Sequence, residues 1–128
     1  MHWLSKLEQV LEAKFIKGFM DSNGYQGVTY YLFQKDNKFT ITMYHFGTCA
    51  LCDELMAIEE DYRAAHGYGN GSIPIEVYAD FIQSMANEAN EHWGTKEELI
   101  NNLHMIFGVG YADEYVQQEV KEFLRYGS

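Results

Sequence analysis

The chain has 128 residues, 47% of them apolar, which supports one globular domain over residues 1–128 and leaves little room for a second. Nineteen acidic residues against nine basic ones give a formal charge of −10. That balance disfavours broad phosphate binding, direct nucleic-acid contact and docking on an anionic membrane, all of which need clustered Lys and Arg.

In chain order, the first periodic segment is residues 3–17. Trp3, Leu4, Leu7, Val10, Leu11 and Phe15 recur mostly at spacings of three and four, so a helix is expected. The segment MHWLSKLEQVLEAKF carries acids and lacks the apolar stretch and cleavage site of a signal peptide. Gly18 and the DSNG at 21–24 should end it. YQGVTYYLFQ, residues 25–34, is rich in β-branched and aromatic types and reads as a strand. KDNK at 35–38 is a polar turn. KFTITMYHF then alternates, with Phe39, Ile41, Met43 and His45 on one face and Thr40, Thr42, Tyr44 and Phe46 on the other. An antiparallel hairpin follows, and an isolated hairpin is marginal, so helices must cover one of its faces.

Gly47-Thr48 breaks the strand, and Thr48 is placed to cap a helix running from Cys49 to about His66. GYGNGS at 67–72 is a loop; without a following lysine or a preceding strand it is no phosphate loop. Ser72 and Pro74 open a helix over 74–91. Thr95 with Glu98 is a capping box before a short helix that Gly108 and Gly110 should end, and residues 112–125 form a last amphipathic helix. The fold class expected is α+β: an antiparallel β-hairpin, or a small three-stranded sheet, packed against four to five helices. No run of about twenty apolar residues is present, so no transmembrane helix is expected.

The two cysteines, Cys49 and Cys52, form a C-x-x-C with three readings: packed structural thiols, a metal clamp or a redox pair. Zinc takes roughly four ligands in a structural site and three in a catalytic one, and the cysteines supply two. His45 is the nearest third donor, and no H-x-x-x-H pair completes the set. A redox pair belongs after a strand and at a helix N-terminus, which this motif satisfies, but a βαβ pattern around it is missing. Packed thiols at the start of a helix under the hairpin are the leading expectation, with no cofactor; zinc on Cys49, Cys52 and His45 is the minority one. No G-x-S-x-G is present, and the carboxylates lie along helices without visible convergence, so no catalytic residue is assigned and an enzyme is not expected.

A hairpin running into GTCALCDEL, with Gly47, Thr48, Cys49, Cys52, Asp53 and Leu55 in the pattern G-[ST]-C-x-x-C-D-x-L, resembles small uncharacterised bacteriophage proteins. The resemblance spans about residues 28–58. By analogy with small acidic phage proteins of the anti-CRISPR and anti-restriction class, it implies an inhibitor of a host nucleic-acid-handling defence complex. Such a protein would work in the bacterial cytoplasm, against a host protein with a basic cleft, by steric and electrostatic occupation that imitates DNA. The expected partner-binding residues are Glu54, Glu59, Glu60, Asp61, Glu97 and Glu98 for charge, with Tyr62, Tyr68 and Trp93 as anchors. The alternatives are a zinc-binding or thiol-dependent protein using the Cys49/Cys52 pair, and a virion or assembly protein using a Tyr-rich interface.

Overall fold

The computed structural model describes residues 2–22, 26–69, 71–107 and 111–127. The expected turn at 21–24 falls partly, and the stop signals Gly108 and Gly110 wholly, outside the described residues. Helix α1 (His2–Leu11) leads into strands β1 (Lys14–Ser22), β2 (Gln26–Lys35) and β3 (Lys38–Gly47). Helix α2 (Glu54–His66) follows, then a 3-10 turn (Ile75–Tyr78), α3 (Ala79–Asn90), α4 (Lys96–Ile106) and α5 (Tyr111–Tyr126). The strands pair antiparallel in the order β1-β2-β3, so the fold is α+β with a three-stranded sheet.

Both faces of the sheet are buried. Tyr31 and Phe33 of β2 and Tyr44 of β3 pack against Trp3, Leu7 and Leu11 of α1 and Phe81, Met85 and Ala89 of α3. On the other face Phe19, Tyr30, Leu32 and Ile41 pack against Leu99 and Leu103 of α4 and Val116, Val120 and Leu124 of α5. The alternation expected over residues 39–46 holds at Ile41 and Tyr44, but helices cover two faces and not one. Aromatic rings bind each layer to the sheet: Trp3 meets Tyr31 at 5.5 Å and Phe81 at 5.1 Å, and Tyr30 stacks on Phe107 at 4.1 Å. Edge-to-face and offset stacked contacts of this kind suit the quadrupoles of the rings.

The helix expected over 3–17 stops at Leu11, and residues 14–22 form a strand instead. Glu12 takes a φ of +54°, which turns the chain out of the helix. Within β1, the pairing Phe15↔Phe33 is followed by Lys17↔Leu32, so the register slips by one residue at Ile16. A bulge of this kind reverses which face later side chains address. Phe15 therefore meets Tyr31 and Phe33 in one layer, while Phe19 meets Phe123 of α5 in the other.

The sheet's two edges are guarded by carboxylates. The Phe15 amide donates to Glu8 Oε2 at 2.7 Å on the β1 side. On the β3 side the Met43 amide donates to Glu88 Oε1 at 2.8 Å, and Phe39 exchanges two backbone hydrogen bonds with Gly94. Thr40 and Thr42, both fully buried, face α3; Thr40 donates to the Ala89 carbonyl and Thr42 to Glu88 at 3.2 Å. Strand edges left open are templates for pairing with other chains, so these contacts limit growth of the sheet.

Candidate functional site

The junction between β3 and α2 differs from the expected one. The helix does not begin at Cys49 under a Thr48 cap; Asp53 is the N-cap, and its carboxylate accepts the Met56 amide at 3.0 Å. The reason is competition: Asp53 is as good a cap as Thr48, and it also finds partners in the core. It is buried, and it accepts the Tyr44 hydroxyl and, at 3.4 Å, the Gly47 amide. Burial first, and then the bond to Asp53 and its negative charge, push the Tyr44 hydroxyl far above its ordinary pKa.

Between Gly47 and Asp53 the chain loops out. The Cys52 and Asp53 amides donate to the Cys49 carbonyl at 2.9 and 3.1 Å, forming a tight turn. Cys49 and Cys52 are both exposed, and Leu51 between them is fully exposed. The expectation that the thiols pack beneath the hairpin is therefore wrong: the helix starts later, so the cysteines stay on the turn ahead of it. Their sulfurs lie 3.0 Å apart. When Cys49 ionises, the Cys52 thiol, then the Cys52 amide and the Leu51 amide stabilise the thiolate, which holds its pKa below the ordinary thiol value. His45 is exposed on β3. Among the described residues no three His, Cys, Asp or Glu side chains gather as a metal site.

Beside the turn lies a cleft of about 580 Å³ bounded by β3, α2 and α3. Met43, Leu51, Phe81 and Met85 give it apolar walls; His45, Cys52, Glu54 and Glu88 supply its polar groups.

The acidic and aromatic candidates fall into two groups at opposite ends of β3. Helix α2 buries none of its residues fully, and it exposes Glu54, Glu60 and Asp61. Tyr68 is 67% exposed and its hydroxyl donates to Glu60 at 2.6 Å. Tyr62 is half-buried and stacks on His66 at 4.2 Å. Glu59 faces inward to accept the Tyr78 hydroxyl at 3.1 Å. The other group sits by the β2–β3 turn. Trp93, half-buried, donates to Asn90 at 2.8 Å and lies under the Lys35 ammonium, and Glu98 is engaged in the capping box with Thr95. Glu97 is exposed there beside Lys96. The Gly47 end is thus acidic, while the turn end carries lysines among its acids. The sequence offered no signal for this division, because it depends on which helix meets which end of β3.

Burial, followed by the hydrogen bond and charge of Glu59, pushes the Tyr78 hydroxyl up to about 12 from its ordinary 10.0. The folded state therefore holds this proton more tightly than the unfolded chain. Its stabilising effect is complete below pH 10 and is lost as pH rises through about 12. Chemical denaturation at stepped pH should show stability falling across that window, with a shallower fall in Tyr78→Phe. An equal slope in the variant would place the alkaline sensitivity elsewhere.

No protein-family model, curated protein or solved structure matches the chain. No helix among the described residues is long and apolar enough to cross a membrane.

Proposed function

We propose that the protein is a phage-type binding protein that inhibits a host nucleic-acid-handling defence complex by occupying a basic cleft. The observation that supports this reading is the exposed acidic face of α2. Glu54, Glu60 and Asp61 stand in solvent on a 13-residue helix, with Tyr68 fixed against Glu60. Thirteen residues of helix span about 20 Å, long enough to lie along a nucleic-acid channel. The net charge of −10 adds long-range attraction to a Lys- and Arg-lined partner. Tyr68 supplies the flat amphipathic surface that interfaces favour. Glu97, Glu98 and Trp93 lie by the other end of β3, among Lys35 and Lys96, so the acidic contact is placed on α2.

The test is an interference assay in bacteria carrying a defined CRISPR or restriction system. Expression should restore plating of a targeted phage. The triple variant Glu54→Lys, Glu60→Lys, Asp61→Lys should lose at least about tenfold of that restoration, because like charge at a basic cleft repels. Circular dichroism would check that the variant keeps its helices. A correctly folded triple variant that protects as well as the parent would overturn the acidic-helix mechanism. Absence of protection against every system tried would overturn the inhibitor reading.

A further inference from the structure

The thiol turn has no part in occupation by the acidic helix, yet it is the most chemically capable group on the surface described. We propose that Cys49 and Cys52 form a thiol–disulfide exchange site, with Cys49 attacking, Cys52 resolving, and a small disulfide with cationic flanks as the preferred substrate.

Three observations carry this. First, the sulfurs are 3.0 Å apart, about 1 Å beyond the bonded distance in a disulfide, so closing the bond needs little movement. Second, the turn is held at both ends. Two amides bond the Cys49 carbonyl inside it, and the Gly47 amide meets the Asp53 carboxylate across its base. Asp53 is in turn anchored by Tyr44 and Met56, so ordering that ring closure would otherwise require is already present. Third, both thiols are exposed, and Cys52 lines the cleft of about 580 Å³ that can receive the substrate's flanks.

The chemistry balances without a further reagent. The Cys49 thiolate attacks one sulfur of the substrate disulfide and forms a mixed disulfide. The first substrate thiolate leaves and takes up the proton that Cys49 gave to solvent. Cys52 then loses its proton, attacks the Cys49 sulfur and expels the second substrate thiolate, which is protonated in the same way. Two protein thiols become one disulfide, and one substrate disulfide becomes two thiols. The donors around Cys49 favour its ionised form over that of an ordinary thiol, which marks it as the attacking group.

Charge sets the substrate preference. Glu54 and Glu88 line the cleft against one weak base, His45, on a protein of net charge −10. An anionic disulfide is repelled there and a cationic one is drawn in.

The experiment reacts the full chain with cystamine, 2-hydroxyethyl disulfide and oxidised glutathione, following products by intact mass. The expected rate order is cationic, then neutral, then anionic, with cystamine at least about tenfold faster than glutathione disulfide at low salt and the gap narrowing as salt rises. Wild type should finish as an internal disulfide. Cys52→Ser should stop as a mixed disulfide on Cys49, and Cys49→Ser should react more slowly. Wild type that accumulates adducts on both cysteines would overturn the exchange site. So would ring closure no faster in the folded chain than in urea. A rate order indifferent to charge would overturn the substrate class.

Discussion

Leu32→Ala costs about 2–5 kcal/mol of stability, and Phe33→Ala about 3–5 kcal/mol, when each is measured by urea denaturation with an unchanged slope. These neighbours on β2 point to opposite faces of the sheet, and both are fully buried. Leu32 rests against α4 and α5; Phe33 rests with Phe15 against α1 and α3. In a sheet with one solvated face, one of two adjacent positions is a surface site, where substitutions usually change stability by less than about 0.5 kcal/mol. Two large losses are therefore the signature of a sheet held between two helical layers. A loss below about 1 kcal/mol at either position would show that its layer does not cover the strand.

Asp53→Ala should cost about 2–4 kcal/mol, more than any other single change of a polar side chain at the β3–α2 junction. Losing an N-cap costs about 1 kcal/mol. Leaving the Tyr44 hydroxyl, buried beside it, without the Asp53 acceptor adds about 1–3 kcal/mol. The two parts separate in a double-mutant cycle. In a Tyr44→Phe background, Asp53→Ala should cost only the cap and the long Gly47 contact, about 1 kcal/mol. Equal costs in both backgrounds would mean that the Tyr44–Asp53 bond contributes nothing. The result also bears on the thiol turn, since Asp53 closes its base: Asp53→Ala should slow formation of the Cys49–Cys52 disulfide.

The legible parts of the fold were those governed by local pattern. The hairpin could be read from the alternation over 39–46, and the Thr95–Glu98 capping box is present as expected. Strand β1 was hidden because the bulge at Ile16 breaks its alternation, while Glu12 ends α1 without the Gly or Pro that usually marks a stop. The second covered face did leave a signal. Tyr30, Tyr31, Leu32 and Phe33 form an unbroken apolar run, which suits a strand buried on both sides better than one facing water. At the candidate site, helical spacing puts Glu54, Glu59, Glu60 and Asp61 on the outer side of α2; Glu54, Glu60 and Asp61 are exposed, but Glu59 is half-buried because it turns inward to accept the Tyr78 hydroxyl. The placement of the cysteines did not follow from spacing, because two residues, Thr48 and Asp53, compete as caps. Only the tertiary partner Tyr44 decides between them.

The order of elements along the chain has a consequence for synthesis. The three strands are complete by Gly47, and α1, which covers one face, precedes them. The helices that cover Leu32 and Ile41 are the last to be made, ending beyond Leu124. At about 5–20 residues per second, the roughly 80 residues between Gly47 and Leu124 take roughly 4 to 15 s to translate. For that interval one apolar side of the meander has no cover of its own. The growing chain is therefore most vulnerable to capture by chaperones, or by a neighbouring nascent chain, on the side that α4 and α5 later close.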